Sequence, residues 1–391
     1  MALGVGIASF AACTRVELAD QPPPVAIEGG FAGEPQGGAG SQPGEGGSGM
    51  GGVGFDLGGA PVSVEVGIWP TFAARSADDQ VAPVVAAVQA LSAGSLTLPL
   101  YTRWDDLSGA TGSPRAVTWA RLEAMIAPYR ARGADVALCV GVVDRQRPAW
   151  PVATLDEGAE AAIERTIDEV FSRYGPLLSH LCFGHELDRY LAVAEPEEGD
   201  QVVELVRHAV EYARRHPSKA ARTSISTSIT LSALESETEV LLARLLIGDQ
   251  AVVSYDALDA EGELKEPEAI SGELGSALEV LARLSARPKV LALFEVGYPS
   301  GGASGATERA QRTFYEALFD TLDAHRSELS FVGVYGLGDR SSPDCEAEAG
   351  SFGEGRAASA RPLVRCKMGL RAERGEKLAW PVVSRALSRD W

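Results

Sequence analysis

The chain has 391 residues, 45% of them apolar, and a formal net charge of −19. That charge removes the electrostatic basis for binding nucleic acid and leaves an uncharged or basic partner, a sugar among them. No run of about 20 apolar residues occurs, so no membrane-spanning helix is predicted; the length accommodates one large core, such as the roughly 250 residues of a (β/α)8 barrel.

Residues 1–13 form a short apolar run that closes on small residues and Cys13. The run resembles the end of a bacterial lipoprotein signal, which implies that Cys13 is lipidated and becomes the mature N-terminus; an ordinary apolar N-terminus is the alternative. Residues 14–60 then turn to proline and glycine, from Pro22-Pro23-Pro24 to Gly58-Gly59. Such a stretch buries too little apolar surface to offset its ordering entropy and reads as a flexible tether. Anchor and tether together predict a monomeric domain, residues 61–391, held outside the cell. Its membrane contact is expected only through the lipid.

From there strands and helices alternate. Val62 to Trp69 is a strand, Ser76 to Ala90 a helix, and Leu96 to Tyr101 a second strand. Trp119 to Arg132 is helical and stops at Gly133. Asp135 to Val143 is a continuous apolar run, expected of a strand covered on both faces. The helix Asp156 to Tyr174 leads to a fourth strand around His180 to Phe183. Helix Glu197 to Arg215, strand Thr223 to Thr230, helix Glu235 to Leu246 and strand Ala251 to Tyr255 follow. Helix Ser271 to Ala286, strand Lys289 to Phe294, helix Thr307 to Ser327 and strand Leu329 to Tyr335 complete the series, with a last helix Pro381 to Leu387. Eight such units predict a parallel, closed α/β barrel; an open doubly wound sheet is the alternative, weakened because no glycine-rich phosphate loop follows any strand.

Five cysteines are present. Cys139 and Cys182 sit inside apolar runs and read as buried thiols, while Cys345 and Cys366 can pair if the compartment is oxidising. No cysteine or histidine cluster has zinc spacing, so neither metal nor cofactor is expected.

Two strands end in a carboxylate: Phe183-Gly184-His185-Glu186 and Leu293-Phe294-Glu295-Val296-Gly297-Tyr298-Pro299-Ser300. A carboxylate at the end of an apolar strand is costly unless it has a partner or a task, and catalytic residues of (β/α)8 barrels come from strand ends. Gly184-His185-Glu186 resembles the Gly-Asn-Glu of the clan A glycoside hydrolases after their fourth strand. Phe294 to Ser300 resembles that clan's Thr-Glu-x-Gly-Tyr/Trp-Pro-Ser after the seventh, with the endo-β-glucanase and endo-galactanase branches nearest. The resemblance implies a retaining hydrolase of β-glycosidic bonds in a poly- or oligosaccharide, with Glu186 as acid/base and Glu295 as nucleophile.

It further implies that Arg103 and Tyr255 hydrogen-bond Glu295 and that His185 replaces the asparagine at the sugar 2-hydroxyl. Trp69, Trp104, Trp150 and Tyr335 stand at strand ends where flat aromatics can stack on sugars. Structural roles stay open beside these: Arg103 as partner of Asp105 or Asp106, Tyr255 as a packed strand residue, Trp104 and Trp150 as rim packing. His185 and the missing tryptophan after the eighth strand favour the alternative function, a carbohydrate-binding barrel with weak or no turnover.

Overall fold

The apolar runs form parallel strands: β1 (Glu65–Ile68), β2 (Thr97–Arg103), β3 (Asp135–Asp144), β4 (Leu178–His185), β5 (Ser224–Thr230), β6 (Ala251–Ser254), β7 (Leu291–Val296) and β8 (Leu329–Val334). The computed structural model describes residues 64–70, 97–109, 113–284, 290–301, 305–340, 364–372 and 375–387, all within one unit, Val53–Trp391. Cys13, the tether at 14–60, the predicted helix at 76–90 and Cys345 lie outside the described residues.

The ladder runs β1-β8-β7-β6-β5-β4-β3-β2, parallel throughout. β1 and β2 meet at the seam through a side chain, Thr97 Oγ1 donating to Glu65 Oε2 at 2.8 Å. Alternation along the strands sends one set of side chains into a lumen and the other toward the helices. The lumen holds one buried cluster, Trp69, Ala137, Cys139, Cys182, Val252, Ala292, Phe294 and Phe331. Residues such as Leu138, Leu181, Phe183, Ile225 and Leu293 face the other way, into the main core. The architecture is the α/β barrel that the alternation predicts.

The helices are α1 (Ala116–Arg130), α2 (Glu157–Tyr174), α3 (Pro196–Arg215), α4 (Glu239–Leu245), α5 (Ala269–Leu284), α6 (Glu308–Ala324) and α7 (Trp380–Leu387). α3 shows why they dock: Val202, Val203, Val206, Ala209, Val210 and Ala213 share a buried stripe, while its charged residues face out. Each buried valine contributes about 1.5–3 kcal/mol. Asp156 starts α2 by accepting from the Gly158 amide at 2.9 Å. The expected helix Glu235 to Leu246 is two pieces, Leu231–Ser236 and α4, because Thr238 caps a second start by accepting from the Leu241 amide at 3.3 Å.

The cysteine reading needs correction. Cys139 and Cys182 are not thiols but a disulfide. They are direct register partners on β3 and β4, both in the lumen, with Cα atoms 4.5 Å apart, within bridging range. Cys366 is also disulfide-bonded.

Gly333 on β8 marks how closely the lumen is filled. A Cβ there would lie 2.3 Å from Phe294 O and 3.0 Å from Trp69 Nε1, the two ends of a 2.7 Å hydrogen bond. Gly333→Ala is therefore expected to cost about 1–3 kcal/mol of stability by overpacking. A thermal melt checks this; an unchanged Tm would mean that β7 and β8 spread freely.

Candidate active site

Glu186 follows β4 directly and adopts a left-handed conformation, φ 54° and ψ 54°, as it turns the chain into the short helix Leu187–Leu191. Gly184, at φ 76°, prepares this turn. A non-glycine residue held in that region costs of order 1–3 kcal/mol, and such strain collects at functional positions. Glu295 reaches the lumen rim by another route. The pairing of β7 shifts register against both neighbours, opposite Ser254 and between Leu293 and Val296. An irregularity of this kind re-aims a side chain.

Both carboxylates are buried, each 4% exposed. His185 joins them: its Nε2 lies 4.0 Å from Glu186 Oε1 and 4.0 Å from Glu295 Oε2, and its ring packs on Tyr101 with centroids 4.5 Å apart. Burial, helped by the charge of Arg145, pulls the His185 pKa down to about 3, so the ring is neutral at neutral pH.

Arginines surround the pair. Arg189 Nε lies 2.9 Å from Glu186 Oε2 and Arg145 Nε 3.6 Å from the same oxygen. Arg189 is held from behind by Asp256 at 2.6 Å, and Arg145 by Asp144 at 3.1 Å. Glu295 is ion-paired to Arg365, whose guanidinium lies over the Tyr335 ring, 4.9 Å from its centroid. Burial works against ionisation of Glu186, but Arg189 and then Arg145 outweigh it and hold the carboxyl well below the usual carboxylate range. Burial and Arg145 pull Arg365 down to about 9, which still leaves it charged at neutral pH.

Glu186, Arg189, Tyr255, Asp256, Val364, Arg365 and Met368 enclose a cavity of about 10 Å³, room for roughly one water. Of the residues named from sequence, His185, Glu186 and Glu295 converge, Tyr255 lines this cavity, and Tyr335 reaches it through Arg365. Arg103 is corrected. It forks onto Asp105, with Nε and Nη2 at 2.9 and 2.7 Å, and reaches Asp144 at 3.6 Å and Pro148 O at 3.2 Å. The aspartate two residues on simply lies nearer than Glu295. Tyr255 is corrected in part: its amide donates to Glu295 O at 2.7 Å, while its ring lies against Phe314 and its buried hydroxyl has no hydrogen-bond partner among the described residues.

The tryptophans are placed differently from a sugar platform. Trp104 is fully buried with Nε1 donating to Thr166 Oγ1 at 2.9 Å, and Trp69 is packed edge-on against Phe294 in the lumen. Both are core residues. Trp150 lies edge-on to Tyr190 and lines a separate acidic hollow of about 450 Å³ with Asp156, Glu195, Glu197 and Glu198. Sequence reasoning passed over Arg145, Arg189, Asp256 and Arg365. Only Arg189 carried a signal, its position three residues after Glu186 on one helical face.

No protein-family model matches the chain, and no curated protein sequence matches it. Solved structures do match in shape. A GH5_18 from Streptomyces cattleya in complex with GlcNAc superposes with a TM-score of 0.62 at 16% identity, over 84% of this chain and 80% of that one. A GH5_18 variant from Bifidobacterium longum subsp. longum in complex with Manβ1-4GlcNAc gives 0.60 at 15%, over 83% and 78%. An exo-β-1,4-mannosidase from an Opitutaceae bacterium gives 0.58 at 14%, over 83% of this chain and 59% of that one. The chain shares their fold.

Removing the Glu186 charge would leave Arg145 and Arg189 short of a buried counter-ion. Because Arg145 keeps Asp144 and Arg189 keeps Asp256, Glu186→Gln is expected to destabilise by about 1–3 kcal/mol at neutral pH. Because folding depresses the Glu186 pKa, its contribution is complete above the unfolded value near 4.5 and is lost as pH falls below it. Denaturation across pH should therefore show the wild-type advantage shrinking on acidification; an advantage that stays constant would contradict the ion-pair account.

Proposed function

We propose that the protein is a retaining glycoside hydrolase acting on a β-linked oligo- or polysaccharide, with Glu295 as nucleophile and Glu186 as acid/base. One observation carries the reading: two buried carboxylates, delivered by β4 and β7 of a (β/α)8 barrel, lie within 4.0 Å of one histidine nitrogen. In the first step a Glu295 oxygen bonds to the anomeric carbon as the glycosidic C–O bond breaks, and Glu186, protonated once substrate has displaced its guanidiniums, gives its proton to the leaving oxygen. In the second, water deprotonated by Glu186 displaces Glu295 and restores the configuration. His185, neutral, is placed to hydrogen-bond a sugar hydroxyl between the two carboxylates. The ligand Manβ1-4GlcNAc named for a structure of like fold makes β-mannosides the first substrates to try.

The arginines around Glu186 bear on that first step. A general acid works best with a pKa near the operating pH, and a carboxyl held ionised donates no proton until bound substrate draws the guanidiniums away. Turnover should therefore depend steeply on the leaving group. The kcat/KM for dinitrophenyl β-glycosides is expected to exceed that for alkyl β-glycosides by far more than in an enzyme with a protonated acid, and Glu295→Ala is expected to abolish both. Equal rates across the leaving-group series would contradict the ionised acid, and wild-type rates in Glu295→Ala would contradict the pair.

A second reading, a sugar-binding barrel without turnover, is favoured by His185 in place of asparagine and by the ion pair that holds the Glu186 carboxyl ionised. Binding of β-glycans with no hydrolysis of any aryl glycoside would select it. For location we propose an oxidising, extracellular setting with Cys13 as lipid anchor, a reading supported by the Cys139–Cys182 bridge and by disulfide-bonded Cys366.

A further inference from the structure

Arg365 lies with Val364 in helical backbone after β8, outside the eight strands, yet its guanidinium reaches the centre of the site. The residues after it are firmly seated. Ser300 N donates to Lys367 O at 2.9 Å, Arg340 N to Cys366 O at 3.0 Å, Leu370 N to Gly336 O at 3.1 Å and Arg371 N to Leu337 O at 2.8 Å. The buried Gln311 amide of α6 donates to Met368 O and Gly369 O at 3.1 and 3.3 Å. These bonds tie the segment to the ends of β7 and β8, so Arg365 forms a fixed wall of the cavity. Its guanidinium pairs with Glu295, lies over Tyr335 and is 8% exposed. Meanwhile Arg103 is spent on Asp105 and Asp144, and the Tyr255 hydroxyl has no hydrogen-bond partner among the described residues.

We propose that Arg365, supplied by the C-terminal segment, is the positioning residue of Glu295: it fixes the carboxylate's orientation and keeps it ionised for attack. The role that the sequence resemblance assigned to Arg103 and Tyr255 has moved to another part of the chain. The catalytic consequence rests on the reading of Glu295 as nucleophile; the electrostatic one does not. Other charged groups face the same guanidinium, namely Glu186, Asp256, Arg145 and Arg189. Arg340 Nη1 donates to Tyr335 Oη at 3.1 Å. Glu186 also feels Arg365, but it has Arg189 and Arg145 as ion-pair partners of its own, whereas Glu295 is ion-paired to Arg365 itself.

The test reads the carboxylate directly. Protein carrying side-chain 13C-labelled glutamate is titrated, and the Glu295 resonance is assigned by its loss in Glu295→Gln. In Arg365→Gln the midpoint is expected to rise by about 1 to 3 pH units, as for a carboxylate losing an adjacent guanidinium, and to rise less in Arg365→Lys. An unchanged midpoint in Arg365→Gln overturns the proposal. On the best aryl glycoside, Arg365→Gln is expected to lose about 100-fold in kcat, the scale of a misplaced reacting group. KM should change little, and the acid limb of kcat/KM should move up, with partial rescue by Arg365→Lys. A gain in kcat would instead make Arg365 a plug and overturn the proposal. If the midpoint rises while wild type hydrolyses nothing, the positioning role stands and the glycosidase reading fails. Should Arg365→Gln not fold, the pair is read from its other end: the Arg365 guanidinium protons exchange slowly in wild type and are expected to exchange fast in Glu295→Gln. Equal exchange in the two proteins overturns the proposal.

Discussion

Two carboxylates buried at the rim of one barrel are the constraint to which the rest of the site responds. Each loses several kcal/mol of hydration on burial, and that loss is offset only by charge partners of good geometry. The chain meets the demand with a relay of ion pairs: Glu186 to Arg189 to Asp256 on one side, Glu186 to Arg145 to Asp144 to Arg103 on another, and Glu295 to Arg365. The strained turn at Glu186 and the register shifts along β7 fit the same account. Both aim a carboxylate into that relay against the ordinary alternation of a strand.

The relay also sets the limits of the chemistry. Charges that hold a nucleophile ionised assist it, whereas the same charges on a proton donor work against it. In this site the proposed proton donor, Glu186, is the carboxylate with two arginines beside it, and the neutral His185 does nothing to offset them. Under the proposed function the substrate itself must therefore create the asymmetry, by displacing water and guanidinium contacts from Glu186 as it enters. Among the described residues the cavity beside Glu186 holds about one water, so entry at that point has to move Arg189, Arg365 or both.

The fold was legible because its signals are local. Runs such as Asp135 to Val143 and amphipathic stretches such as α3 specify strand and helix by spacing alone, and eight repeats of the unit leave few arrangements. Glu186 and Glu295 were legible because a charge at the end of an apolar strand has to be explained. The supports were not. Arg103 and Tyr255 occupy the chain positions that the resemblance implied, but Asp105 two residues from Arg103 captures its guanidinium, and Phe314 holds the Tyr255 ring. Arg365 reaches Glu295 from a short helical stretch near the C-terminus that no strand-end motif marks, so nothing local pointed to it. Trp69 and Trp104 looked like sugar platforms because strand-end position says nothing about which way a side chain turns. The Cys139–Cys182 bridge required the β3–β4 register, which apolar runs leave open.

The most direct measurement is covalent trapping. A 2-deoxy-2-fluoro-β-glycoside with a good leaving group slows the second displacement more than the first, so a retaining enzyme accumulates its glycosyl ester. Intact-mass analysis followed by peptide mapping locates the sugar. The account predicts one adduct per chain, on Glu295, absent from Glu295→Gln. An adduct on another residue, or hydrolysis of the parent β-glycoside with inversion at the anomeric carbon, would contradict it.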